Sequence, residues 1–492
     1  MSSLGKAFAF FTGASIIGSF TQVIKGKITA VLLGTEGVGI LNQLTSLWSL
    51  FSAVASLGFY NGMLRHLAPA WADGDRLLFR HHMSSNFLLQ MGTALILSLG
   101  GCWFSDTLSA LVFDDGGARA GLICLILLSV PVYIAGQTYR TMLNATRSVS
   151  AVVRARIGAD VFSVLVLAVL IFPFGLKGAI MGYIGLHILY LGFTMFFTRK
   201  VLGEDILLPQ VSYFEIAEIK KNISFGINGL IAVAVGILTT LVVSRCIISS
   251  GGSGSNGLFT MAMKVATVYL GGLSAAAGGY YFPTLSSAKS DVEMHAHMNK
   301  TLSMYLFVIP PIILVLMAGG ELMMRLLFSA EFIPAAFLLI LILPGDLFRI
   351  TAETIGMALV VKKRLIISTS SYILWAIIYL VLVLLLLPKY GIVGVAMAYF
   401  LSQFFNAIQQ ITVGRFIIGY RFDHATLNTI MRGFGMVFAM AIMIWFEQPS
   451  WLNWIAAIFL FTVWAMMSWS NPDFQRGCFK ILSKVGAKRL IS

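Results

Sequence analysis

Apolar runs of about twenty residues recur along the whole chain, separated by short breaks rich in Gly, Ser, Arg and Lys. As a helix, a run of that length crosses a bilayer core of roughly 30 Å. Fourteen such runs are found, at 8–31, 38–60, 84–105, 119–143, 157–174, 177–198, 223–247, 257–282, 302–325, 334–361, 366–388, 391–414, 428–446 and 452–469. In lipid the backbone of each must satisfy its own hydrogen bonds, which leaves helices as the reading. The pattern predicts an all-α polytopic membrane protein.

Composition strengthens this. Of 492 residues, 58% are hydrophobic and only 11% charged, with a mean hydropathy of +0.89, more than a water-soluble core requires. The opening stretch MSSLGKAFAFFTGASIIGSF lacks a small-residue cleavage site leading into a polar region, so it is expected to begin the first span. Cys102, Cys124, Cys246 and Cys478 show no CxxC or Cys/His spacing. They are read as packing residues, with no metal site or disulfide framework expected.

The net charge of +14 changes the picture through its distribution. With the N-terminus inside, 23 of the 34 Lys and Arg fall on cytoplasmic segments, including Arg76, Arg80, Lys362, Lys363, Arg364 and the tail. Seven fall on the opposite side, and Arg140, Lys264, Arg349 and Arg432 lie within spans. That asymmetry places both termini in the cytoplasm and makes the basic loops topology determinants facing anionic lipid. Nucleic-acid binding is not expected. The loops leave no room for a soluble domain, so function is sought between the helices.

The chain repeats itself. "GLKGAIMGYIGLH" at 175–187 lies over "GIVGVAMAYFLSQ" at 391–403, with Gly175, Gly178, Met181 and Tyr183 recurring as Gly391, Gly394, Met397 and Tyr399 at an offset of 216. An offset of 220 pairs Gly37, Gly58 and Tyr60 with Gly257, Gly278 and Tyr280, and Lys25 with Arg245. Spans 1–6 thus map onto spans 7–12 in one orientation, a parallel repeat of the kind that lets two lobes rock around a central cleft. The expected organisation is an N-lobe at 1–200, a cytoplasmic linker at 201–221, a C-lobe at 222–420, and spans 13 and 14 with a basic tail at 421–492.

Polar residues mark candidate cleft faces. Asn42, Ser46, Ser49, Ser52 and Ser56 share one face of span 2, and Thr260, Lys264, Thr267, Gly271, Ser274 and Gly278 one face of span 8. Span 1 adds Ser15, Ser19, Gln22 and Lys25. Small residues also serve close helix packing, so the stripes fit either role. Lys264 stands apart: an ammonium deep in a membrane needs water, a carboxylate or a bound anion. Arg140 shares a face with Gln137 and Asn144, consistent with a polar cavity or with snorkelling, and Lys25 and Arg245 carry the same two readings. In "LILPGDLFRITAETIGMALVV", Asp346, Arg349 and Glu353 fall on one helical side, either as a self-neutralised triad or with Arg349 turned to an anionic substrate. Pro344 and Gly345 just before them are the expected hinge. Asp160 and His187 are candidates for coupling to a proton or sodium ion, set against an ion pair of Asp160 with Arg156 and a packing role for His187. No GxxxxGK[ST] stretch binds a nucleotide. No cofactor is expected, and the drive is an H+ or Na+ gradient, membrane potential or downstream consumption.

Residues 25–68, "KGKITAVLLGTEGVGILNQLTSLWSLFSAVASLGFYNGMLRHLA", resemble the first two spans of Wzx-type polysaccharide flippases of the multidrug/oligosaccharidyl-lipid/polysaccharide (MOP) exporter superfamily. "YYFPTLSSAK" and "FSAEFIPAAFLLILILPGDLFRITAETIGMALVVKKR" resemble later stretches of the same family. The resemblance implies a V-shaped pair of six-helix lobes, here with two extra C-terminal helices. It also implies an undecaprenyl-pyrophosphate-linked oligosaccharide as substrate, such as an O-antigen repeat unit, moved across the bacterial inner membrane by alternating access. Gln22, Lys25, Asn42, Arg140, Arg245, Lys264 and Arg349 are then the candidate substrate-binding residues. Membrane lipids are the other partners, with a polymerase and chain-length regulator alongside, and the protein is expected to act as a monomer. The rivals are a lipid II flippase, an ion-coupled drug or metabolite exporter, whose cleft for cationic drugs would be acidic, and a membrane polymerase or glycosyltransferase, which needs larger external loops.

Overall fold

The computed structural model describes residues 3–203, 209–276, 281–446 and 450–469. The basic tail and Cys478, along with Gly278 and Tyr280 of the repeat, lie outside the described residues. Fifteen α-helices follow one another: α1 (Ser3–Ser56), α2 (Tyr60–Ala72), α3 (Arg76–Trp103), α4 (Ser105–Phe113), α5 (Ala120–Leu127), α6 (Val130–Ala145), α7 (Val149–Leu202), α8 (Ile216–Ala276), α9 (Phe282–Ser287), α10 (Asp291–Ala318), α11 (Gly320–Leu327), α12 (Ala335–Val361), α13 (Leu365–Val413), α14 (His424–Trp445) and α15 (Ser450–Trp469). No strand occurs among the described residues.

By length and composition, nine helices among the described residues are able to cross a membrane, against fourteen apolar runs in the sequence. The numbers differ chiefly because helical hydrogen bonding continues through bends that the sequence reading took as breaks. Each of the four longest helices bends at one glycine: Gly34 in α1, Gly175 in α7, Gly252 in α8 and Gly391 in α13. All four have positive φ with ψ far from helical, a combination that glycine alone adopts cheaply.

The bends carry the internal repeat. Gly175 (φ 52°, ψ −126°) and Gly391 (φ 57°, ψ −143°) match at the 216-residue offset. Three residues on, a methyl group on Gly178 would sit 2.0 Å from Leu170 O, and one on Gly394 2.3 Å from Leu386 O. The repeated glycines therefore turn the chain and let its two arms touch. Gly34 and Gly252 pair 218 residues apart, and around them the halves contact each other reciprocally. A methyl on Gly39 would lie 1.9 Å from Ser253 O, and one on Gly257 2.0 Å from Thr35 O. Thr35 and Ser253, like Gly39 and Gly257, are related by the same 218 residues, so this seam has an internal two-fold character.

Side chains extend the seam. Asn256 Nδ2 donates to Gly39 O at 2.9 Å, Lys27 Nζ to Leu326 O at 2.7 Å, and Thr35 N to Glu331 Oε2 at 3.3 Å. A second junction joins the start of α8 to α2 and α3. There His82 Nδ1 meets Glu218 Oε2 at 2.5 Å in a buried pair, and Asn222 Nδ2 donates to Asn86 Oδ1 at 2.8 Å.

Each half has its own core. Leu44, Leu47, Ile123, Ile126 and Ile134 anchor the first half, and Leu338, Ile342, Leu343, Leu347 and Ile350 of α12 the second. The extra helices α14 and α15 join the second core through Val437, Met440, Ala456 and Ala457. In α12, 72% of the most apolar window is buried inside the protein, and of its charges Asp346 is buried while Arg349 and Glu353 stay partly exposed.

Candidate functional site

The three charges of α12 are divided. Asp346 is fully buried and accepts a 2.6 Å hydrogen bond from Tyr399 of α13. Arg349 Nε donates to Glu353 Oε1 at 2.8 Å, one helical turn on. The guanidinium is thus offset by an i,i+4 carboxylate and lies close enough to Tyr399 and Asp346 to feel both. Pro344 and Gly345 do not break the helix: α12 runs through them without a non-helical residue. The expected hinge position is thus a continuous stretch of helix in this conformation. Gly345 is small because Tyr399 and Phe400 pack against it, at 3.2–3.3 Å from where a methyl would be.

Arg349 and Glu353 line a cavity of about 1040 Å³ enclosed by both arms of α8, by α12 and by both arms of α13, with Asn42 of α1 at its edge. Thr260, Lys264 and Thr267 form one side, so this part of the span 8 stripe is cavity wall. The side chains of Gly271 and Ser274, like Gly278, lie outside the described residues. Facing them are Gln403, Asn406 and Gln410 of α13, with Tyr372, Tyr379 and Tyr399. These α13 amides were missed in the sequence, although their i, i+3, i+7 spacing in an apolar helix is a readable signal.

Among the described residues, Lys264 differs from Arg349 in having no carboxylate partner and no hydrogen bond from its ammonium. Its Nζ rests on α1, where a methyl on Gly26 would come within 2.7 Å. Lys25 stands next to that glycine, close enough for the two ammonium groups to repel. Among the described residues, the acid acting on Lys25 is Asp160, which is already engaged by Arg156 at 3.6 Å. The Asp160–Arg156 pair is the ion pair set against a coupling role. Two cations from the two halves are therefore held together with little counter-charge of their own.

The remaining candidates separate. Arg140 does not reach the large cavity. It lines a second one of about 240 Å³ with Gln137, Gln90, Tyr60 and Ser56. Arg245 is held by Asp114 at 3.3 Å, outside both cavities. Gln22 is exposed on α1 and lines neither. The span 2 face is likewise divided, with Asn42 at the large cavity, Ser56 at the small one, and Ser49 bonded to Thr45 O at 2.7 Å. The side chains of Ser15 and Ser19 lie outside the described residues. His187 is buried, stacked on Trp48 at 4.5 Å and flanked edge-on by Tyr133 and Tyr183, with Nε2 unpartnered. Lys25 is near enough to act on it.

Comparison with known proteins places this geometry. The family described as "Polysaccharide biosynthesis protein" matches residues 4–289. The lipid III flippases of Escherichia coli (strain K12) and Shigella flexneri are each 21% identical over 404 residues, spanning 81% of this chain and 94% of theirs. An inward-facing multidrug resistance MATE family transporter of the MOP superfamily has a similar structure, with a TM-score of 0.71 at 12% identity over 82% of this chain and 94% of its own. The lipid II flippase MurJ, in an inward closed conformation, gives 0.68 at 14% identity over 94% of this chain and 99% of its own. At these identities the two structures show that the fold is shared.

Proposed function

The chain belongs to the polysaccharide biosynthesis protein family, and from that premise we propose that it is a flippase for a lipid-linked saccharide. The substrate is an undecaprenyl-pyrophosphate-linked oligosaccharide, such as an O-antigen or other surface-polysaccharide repeat unit. It is moved from the cytoplasmic to the periplasmic leaflet of the bacterial inner membrane.

One observation carries the reading: among the described residues, the ammonium of Lys264, on the wall of a 1040 Å³ cavity, has no acid to neutralise it. An intramembrane cation is costly and is retained where it meets an anion. Arg349 is already matched by Glu353, so Lys264, with Lys25 beside it, is the pyrophosphate contact. The amides of Gln403, Asn406 and Gln410 and the three tyrosines suit sugar hydroxyls and ring faces. The polyprenyl tail stays in lipid.

The two halves rock against each other, breaking the glycine seam at one end and the His82–Glu218 junction at the other in turn. A membrane potential negative inside favours outward movement of an anion by about 2.3 kcal/mol per charge per 100 mV. An H+ or Na+ gradient is the alternative drive, with Asp160 or His187 as the coupling group.

A lipid II flippase is the second reading, favoured by α14 and α15 and by the 94% of this chain that aligns with MurJ. Depleting the protein in its own bacterium and measuring lipid-linked saccharides on each leaflet by mass spectrometry tests both. Cytoplasmic accumulation of an undecaprenyl-pyrophosphate oligosaccharide supports the first, and accumulation of lipid II the second. An unchanged pool in a strain without a redundant flippase refutes both and directs attention to small-molecule export.

A further inference from the structure

The second cavity is not used by the mechanism above, and it has chemistry of its own. It lies wholly in the first half, between the end of α1, α2, α3 and α6, and shares no lining residue with the Lys264 cavity. Among the described residues that line it, Arg140 alone is charged. One N–H donates to Gln137 Oε1 at 3.3 Å, and the guanidinium carbon lies 5.7 Å from the centroid of the Tyr60 ring. No carboxylate among the described residues pairs with it, which leaves most of its five N–H donors for a ligand.

Size and lining narrow that ligand. At about 240 Å³ the cavity has room for a sugar ring, with the rest of a repeat unit lying outside it. Tyr60 and Tyr133 offer ring faces, and Gln90 and Ser56 offer hydroxyl partners. A neutral sugar would leave the cation unmatched. A planar guanidinium pairs best with a planar carboxylate, through two parallel N–H···O bonds.

The geometry points to a subsite for a carboxylated sugar: the repeat unit carries a hexuronic acid, which Arg140 holds while the pyrophosphate sits at Lys264. This rests on the flippase reading and deepens it by naming the substrate class. It makes Arg140 a specificity residue and Lys264 a general one.

The test uses the full-length protein in proteoliposomes and two undecaprenyl-pyrophosphate disaccharides that differ only in a terminal glucuronic acid or glucose. Wild type should move the acidic lipid about ten- to a hundredfold better than the neutral one, the effect of hydrogen bonds to a charged group. Arg140→Gln should abolish that preference and spare the neutral lipid, Arg140→Lys should restore part of it, and Lys264→Met should impair both lipids alike. Equal transport of the two lipids by wild type overturns the inference without recourse to a variant. So does Arg140→Gln impairing both lipids equally, which would place Arg140 on the pyrophosphate. Failure of wild type to move either lipid refutes the flippase reading itself, a result distinct from loss of selectivity.

Discussion

Replacing Lys264 with Met removes the ammonium while keeping an unbranched side chain of similar length. Two opposite consequences follow from the structure. A phosphate about 4 Å from Nζ, at an effective dielectric constant near 20, gains roughly 4 kcal/mol from the charge. Lys25 stands close enough to take over part of that interaction, so the net loss is about 2–4 kcal/mol, or roughly 30- to 700-fold in substrate affinity. In the empty protein the change removes a cation with no acid of its own, a burden of about 2.5–3.5 kcal/mol on insertion scales. The variant should therefore bind and flip far less while unfolding no more easily, and by preference less easily. Flipping is read from a fluorescent undecaprenyl-pyrophosphate disaccharide and a membrane-impermeant quencher, and stability from thermal unfolding in detergent. Flipping within about threefold of wild type would refute the reasoning. So would lost transport accompanied by a lower melting temperature, since that would mean Lys264 holds the structure together.

Gly26→Ala should act through the same ammonium: its methyl would sit 2.7 Å from Lys264 Nζ, displacing a flexible side-chain tip at little cost in stability. Transport should fall several-fold in wild type and not at all in the Lys264→Met background, a double-mutant cycle that checks the coupling. Asp346→Asn should destabilise the protein by about 1–3 kcal/mol, the range for disturbing a buried charge-assisted hydrogen bond, and Tyr399→Phe by about 1–2 kcal/mol, both read by thermal unfolding. Gly39→Ala and Gly257→Ala should each pry open the α1–α8 seam, raising thiol labelling of a cysteine placed at Ser253 or Thr35, and the double variant should do little more than either single one.

The repeat was legible in the sequence because glycine was the only residue able to fill its positions. Gly175 and Gly391 need positive φ, and Gly178 and Gly394 need the missing side chain, so the four recur together. The earlier register was close, 220 residues against the 218 that relates Gly34 to Gly252, since neighbouring glycines such as Gly37 blur the alignment. Lys264 stood out for a physical reason as well: no nearby residue in the sequence offered it an acid.

What helical periodicity leaves open is the identity of the medium that a face meets. Gln22 and Lys25 lie on one side of α1 in sequence, yet Gln22 is exposed and Lys25 is half-buried beside α8. Arg245 looked like a cleft residue because its partner, Asp114, is 131 positions away. Pro344 weakens an isolated helix, whereas α12 is packed by neighbours along its length and stays continuous through it. Arg140 was grouped with Lys264 on its charge and on the face it shares with Gln137 and Asn144, and only the packing of α2 and α3 against α6 puts it in a chamber of its own.

The seam between α1 and α8 has a thermal consequence. Gates built from long side chains freeze rotamers whenever they shut, at up to about 2 kcal/mol of entropy for each Lys, Arg or Met. Here the central contacts are glycine against carbonyl, Gly39 on Ser253 and Gly257 on Thr35, where no rotamer exists to be lost. In the proposed rocking cycle, the flanking Lys27 and Asn256 aside, closing this end is then mostly a matter of fit, and its equilibrium should change little between a cold and a warm membrane. A shift in temperature would then act on this seam more through the fluidity of the surrounding lipid than through the seam itself.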